Sequence, residues 1–300
     1  MKKTRLVILF SLLAISISAQ DQFVVYSTKG EVTIVEENKR SIVKTGKVIS
    51  SNSTIAIPEK AGITLICKEG GLYSLTQPGI NSLNRIRDSC QKSNCGVLNN
   101  FAKYLWDQAT KKIESPDQNR KAYFDNIQAR SRNVFDIWVS PAFDTMNYSG
   151  VDGAFPIYWK SYKDAKKYFF SLYAAGNTAA PFYRTVVRDL KIPVIDLAYH
   201  IKPGNTYYWS VNIKGEYDDP LYVLNYVTSE TFDAVLANFI KQKPAIEGPA
   251  EEAFRTAFML ENAHYLAEAC QYYARAASLD AENTLYKSAL LSFRKDYEMK

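Results

Sequence analysis

Between Phe23 and Leu83 apolar residues come in short runs separated by turn residues. Phe23-Val-Val-Tyr26 alternates weakly, and Val32, Ile34 and Ile42, Val43 flank the polar stretch Glu36–Arg40. Val48, Ile49 and Ser53-Thr-Ile-Ala-Ile57 follow, broken by Pro58, then Ile63-Thr-Leu-Ile66, a Gly70-Gly71 turn and Leu72-Tyr-Ser-Leu75. Short β-branched runs at this spacing predict a compact antiparallel barrel or sandwich. From Val97 the period changes. Val97, Leu98, Phe101, Leu105 and Ala109 recur at three and four residues, which predicts an amphipathic helix covering one side of the β-unit, stopped by Ser115-Pro116. A polar stretch to Asn133 reads as a linker.

Strands return from about Val134 to Phe232: Ile157-Tyr-Trp159, Lys167–Tyr173, Thr185-Val-Val187, Ile192–Ile195, Thr206–Val211 and Tyr222–Val227. Beyond them the pattern is helical. Ala253, Ala257 and Leu260 share one face, and Leu266, Ala269, Tyr273 and Ala276 share the face of a second helix. The fold class expected is therefore mainly β in its N-terminal and central parts, with an α-helical C-terminus. The expected units are a β-domain over 20–95, a helix and linker over 96–133, a β-sandwich over 134–235 and helices over 236–300.

Several of these segments resemble known families. The order Gly30-Glu-Val-Thr-Ile34, Gly46-Lys-Val-Ile49, Ser53-Thr-Ile-Ala-Ile57, Ala61-Gly-Ile-Thr-Leu65 and Gly79 resembles the small β-domain of FecR-type periplasmic proteins. Trp159, the Tyr168–Tyr173 strand and Leu197 followed by Pro203-Gly-x-x-Tyr207-x-Trp209-x-Val211 resemble a fibronectin type III or related immunoglobulin-like sandwich. Trp159 and Trp209 are then expected to be core pins. Residues 260–283 resemble a tetratricopeptide repeat: Ala269, Tyr273 and Ala276 match its small–aromatic–small spacing. His264 stands where that repeat's turn usually has Gly, and Ala281 where it usually has Pro. Residues Thr284–Tyr297 would form a third, capping helix.

The first residues assign a compartment. Lys2, Lys3 and Arg5 precede an apolar run from Leu6 to Ile17, and Ser16, Ser18 and Ala19 supply small residues. That is the order of a secretory signal peptide over 1–19, and the run is shorter than the ~20 residues that span a bilayer. The chain is expected to be exported to the periplasm or beyond, with no integral membrane span after leader cleavage. Without the leader's three basic residues, 34 basic face 31 acidic groups. So small and dispersed an excess does not point to nucleic acid.

An oxidising compartment bears on the four cysteines, Cys67, Cys90, Cys95 and Cys270. Cys90 and Cys95 enclose a four-residue turn and are the first candidate disulfide; Cys67 with Cys90 or with Cys95 are the rivals. Cys270 reads as a buried thiol. His200 and His264 are the only histidines, in different expected units, and neither has a nucleophile or carboxylate at a spacing that forces contact. Asp218-Asp219-Pro220 reads as a turn. No metal, cofactor or catalytic residue is expected, so the chain is read as non-enzymatic.

The module resemblances imply a bacterial envelope adaptor or assembly factor that binds protein partners. Tyr265, Tyr272 and Arg275 are the candidate lining of a partner groove. The alternative is a glycan- or peptidoglycan-binding module. For it, Tyr158, Tyr162, Tyr173, Tyr183, Tyr199, Tyr207, Tyr217 and Tyr222 supply candidate platform rings.

Overall fold

The computed structural model describes residues 22–36, 39–86, 96–110, 143–150, 155–162, 164–213, 221–297 and 299. The expected leader, the 111–133 linker, Cys90, Cys95, Tyr217 and the Asp218-Asp219 turn lie outside the described residues. β-Sheets occupy the N-terminal and central parts, and helices follow, as the hydrophobic periods predict.

The N-terminal part contains β1 (Gln22–Lys29), β2 (Thr33–Glu36), β3 (Lys39–Ile42) and β4 (Val48–Ser50). It continues with β5 (Thr54–Ile57), β6 (Gly62–Cys67), β7 (Leu72–Leu75) and β8 (Gly79–Ser82). They form two four-stranded antiparallel sheets, β4-β1-β6-β7 and β3-β2-β5-β8, rather than a closed barrel. Phe23, Val25, Ile63 and Leu65 from the first sheet meet Ile34 and Ile55 from the second in one core.

The first sheet is buried on both sides. Five successive residues of β1 and all of β6 are inaccessible, which is why neither segment shows a clean alternation in sequence. Val24, Tyr26 and Ile66 point away from the sandwich into a second core that includes Phe101 of α1 (Gly96–Thr110). α1 crosses the Gly70-Gly71 turn so closely that a Cβ on Gly70, which has φ +88°, would lie 2.6 Å from the Asn99 carbonyl oxygen. Only glycine fits there.

The central part contains β9 (Thr145–Tyr148), β10 (Pro156–Tyr158), β11 (Tyr168–Ala174), β12 (Tyr183–Val187), β13 (Lys191–Pro193), β14 (Asn205–Asn212) and β15 (Tyr222–Tyr226). Five of them form the sheet β12-β11-β14-β15-β9, antiparallel except for the parallel β15–β9 pair, and β10 pairs with β13. Trp159, Phe170 and Trp209 stack between them at centroid spacings of 6.3 and 6.0 Å. Both tryptophans are fully buried, as expected of core pins.

Four helices complete the described fold: α2 (Ser229–Lys241), α3 (Pro249–Asn262), α4 (Leu266–Leu279) and α5 (Thr284–Asp296). Thr228 caps α2 by accepting from the Thr231 amide, and Asn283 caps α5 by accepting from that of Leu285. α2 begins at Ser229, ahead of the boundary expected at 235, because Phe232 packs on Tyr265 at the head of α4.

α3 is the unusual element. Every residue from Ala253 to Glu261 is buried, including Arg255, Thr256 and Glu261. The Arg255 guanidinium meets Glu247 in a two-pronged pair, Nε to Oε1 at 2.7 Å and Nη2 to Oε2 at 2.9 Å, and donates from Nη1 to the Phe239 carbonyl at 2.7 Å. Tyr26 of β1 donates to Glu247 Oε1 at 2.5 Å, and Thr64 of β6 donates to the Ile246 carbonyl at 2.7 Å. Glu261 accepts from Tyr273 and Tyr297 at 2.8 and 3.1 Å, which ties α3 to α4 and to the end of α5.

A polar ladder joins the central sheet to the same helices. Thr206 donates to Asn225, Asn225 to Asn147, and Asn147 to the Ala263 carbonyl, at 2.8, 2.8 and 2.7 Å. Ser149 donates to the buried carboxylate of Glu268 on α4.

The Arg255–Glu247 side chains are 0% and 1% exposed, so losing one partner strands the other charge. Arg255→Met or Glu247→Leu alone is expected to cost about 3–5 kcal/mol in denaturant unfolding, and the double variant less than either single change. A double-variant loss equal to the sum of the two single losses would show that the pair is not coupled.

Candidate functional site

The three residues expected to line a partner groove do not assemble one. Tyr265 immediately precedes α4 and is buried, its ring 5.3 Å from Phe232. Burial, and then the Glu268 charge, push its hydroxyl above the ordinary tyrosine range. Tyr272 and Arg275 do meet: three residues apart on α4, they bring the guanidinium to 5.9 Å from the ring. The first helix of the pair cannot supply a concave wall, since α3 is covered along its middle turns. What remains of the candidate is a half-buried Tyr272 beside the exposed Arg275.

The candidate glycan platform also thins out. Tyr158, Tyr173, Tyr207 and Tyr222 are buried. The Tyr207 hydroxyl accepts from the Lys202 amide at 2.8 Å, pinning the turn that leads into β14. Tyr162 is half-buried, and Tyr168 donates no ring to the surface either, being fully enclosed. Tyr199, 98% exposed, stands beside His200, whose ring lies flat on Tyr183 at 3.9 Å. Phe182 and Ile195, also in the central part, are half-exposed.

Reactive chemistry is not gathered at either place. His200 faces a phenol ring, and His264 occupies the α3–α4 turn. Among the described residues, no group of three or more His, Cys, Asp or Glu could hold a metal ion, and no helix is long and apolar enough to cross a membrane. Cys270, on α4, is half-buried and not disulfide-bonded. Cys67 is disulfide-bonded, and the candidate pair Cys90 and Cys95 lies outside the described residues.

Two features were not legible in the sequence. One is the Tyr26–Glu247–Arg255 cluster, joined over more than 200 residues of chain. Burial, then Glu247, hold the Tyr26 hydroxyl well above its ordinary range, so it stays a donor. The other is a sheet face around Ile42 and Ile80, exposed among the described residues, whose Thr33, Ala56 and Ile80 line an open groove of about 770 Å³. Neither carries a local signal, because each depends on strand register or on contacts between distant segments. No protein-family model and no curated protein matches this chain.

His264 has φ +61°, the left-handed conformation that a side chain disfavours. His264→Gly is therefore expected to stabilise the protein by about 0.5–1 kcal/mol in thermal or denaturant unfolding. Burial also lowers the His264 imidazole below the ordinary histidine value, with Asp144 opposing weakly. The unfolded chain then binds that proton more readily, so stability falls as pH drops from about 7 through 6.5 and below. The glycine variant should lose this component of the pH slope; an unchanged slope would exclude His264 as its source.

Proposed function

We propose that this chain is an exported, non-enzymatic adaptor or assembly factor of the bacterial envelope. In this reading it joins a FecR-like β-domain, an immunoglobulin-like domain and a tetratricopeptide-like helical pair, and it binds protein partners. The signal-peptide-like N-terminus supports the compartment.

The strand order of the central part supports the immunoglobulin-like assignment. The run β12-β11-β14-β15 follows the C′-C-F-G order of a variable-type sheet, and the β10–β13 pair corresponds to B–E. Tyr207 sits near the start of the F-equivalent strand and is hydrogen-bonded to backbone five residues upstream, the arrangement of a tyrosine corner. For the helical pair, support comes from Ala269, Tyr273 and Ala276, all buried against α3, and from the left-handed His264 where the repeat favours Gly.

One observation carries the adaptor reading. Buried and half-buried polar groups fasten the modules to each other, through Glu247, Asn147 and Glu268, while the described surface offers apolar and aromatic side chains on sheet faces and helices. Such an arrangement displays surfaces and does not concentrate reactive groups. Tyr199 beside the Tyr183–His200 stack favours glycan binding as the second reading, because flat exposed rings suit sugar faces.

The two readings separate experimentally. Crosslinking in intact envelopes followed by pull-down should recover a defined partner, and Tyr272→Ala with Arg275→Glu should lower its yield about tenfold. Undiminished yield would remove the α4 surface from the contact. Retention on purified cell wall or polysaccharide, abolished by Tyr199→Ala, would instead establish the glycan reading.

A further inference from the structure

The outer face of the sheet β3-β2-β5-β8 is an ordered array of small and β-branched side chains. Register places Ile42 opposite Thr33, Thr33 opposite Ala56 and Ala56 opposite Ile80, so these four form one row across all four strands. The adjoining row on the same face is Arg40, Val35, Thr54 and Ser82. Alternation confirms the direction: Ile34, Ile55 and Ile57 are buried in the sandwich, whereas Thr33, Val35, Thr54 and Ala56 are only half-buried.

The outer face of a solvated sheet is usually polar. Here Arg40 is the sole charged residue among the eight, and the two isoleucines at the ends of the first row are 56% and 80% exposed. The bordering groove carries two acidic and two basic side chains, Glu31 and Glu59 against Arg40 and Lys60. The face is therefore neutral overall and contains both members of each ion pair it needs.

We infer that this face is a two-fold, sheet-on-sheet interface with a second copy of the same chain. An isologous contact sets a patch against itself, so it requires self-complementarity in shape and charge. The row Ile42, Thr33, Ala56 and Ile80 can lie on its own copy at about the 10 Å spacing of packed sheets. The two-fold operation then offers Arg40 and Lys60 of one copy to Glu31 and Glu59 of the other. A partner of strong single-sign charge would find no complement there. Eight residues make a smaller patch than the roughly 20–30 residues a side of a standard interface, so the dimer should be weak.

This inference is independent of the adaptor reading and can fail without it. Sedimentation velocity on the mature chain over about 1–200 µM should show a monomer–dimer equilibrium that saturates at two copies. Ile42→Lys with Ile80→Lys should leave the protein monomeric throughout that range. Unchanged circular dichroism and melting temperature would show that the exposed substitutions left the fold intact. Arg40→Glu should weaken self-association at least about tenfold, and mixing it with Glu31→Arg should restore a heterodimer. A monomer at every concentration, an open-ended series of oligomers, or a dimer that survives the double lysine variant would each overturn the proposal.

Discussion

Everything in this fold leans on the requirement that the charge of Arg255 be matched. The residue sits midway along a helix whose residues from Ala253 to Glu261 are all buried, so its guanidinium must be answered by protein. Glu247 answers with both oxygens, the Phe239 carbonyl accepts a further hydrogen bond, and Tyr26 closes the remaining side of the carboxylate. A buried pair of this kind is tolerated only when every partner is in place. The strand that opens the N-terminal sandwich, the end of α2 and the middle of α3 are therefore compelled to meet at one point.

That requirement changes what modular means here. The sandwich, the central sheet and the helices each have the residue pattern of a separate unit, yet α3 gives all three a common partner. Phe254 and Phe258 of α3 pack on Phe101 of α1, Tyr26 reaches in from β1, and Asn147 anchors β9 at the turn after α3. α3 is thus the internal post of the molecule. Its surface is covered, whereas Arg275, Tyr199 and the Ile42–Ile80 face of the N-terminal sandwich remain exposed.

The segments read most easily were those in which one local rule decided the outcome. Alternation in β2 and β5, the three-and-four spacing of α1, and the small–aromatic–small face of α4 each depend on a single neighbour and so survive as periodic patterns. β1 and β6 were harder, because a sheet covered on both faces replaces alternation with an unbroken apolar run. Tyr265 looked like a surface aromatic and proved to be core, since nothing in its own helix announces Phe232 across the junction.

By itself, the amino-acid sequence determined the succession of strand and helix periods, the two tryptophan pins and the turn chemistry of Gly70 and of Pro203-Gly204. These follow from backbone sterics and from the pitch of each element, which short stretches of residues encode. Tertiary structure alone decided that Arg255, Glu247 and Tyr26 share one buried site, that α3 is buried from Ala253 to Glu261, and that Ile42 and Ile80 align across four strands. Those outcomes depend on register and on meetings between segments far apart in the chain, and no local pattern carries that information.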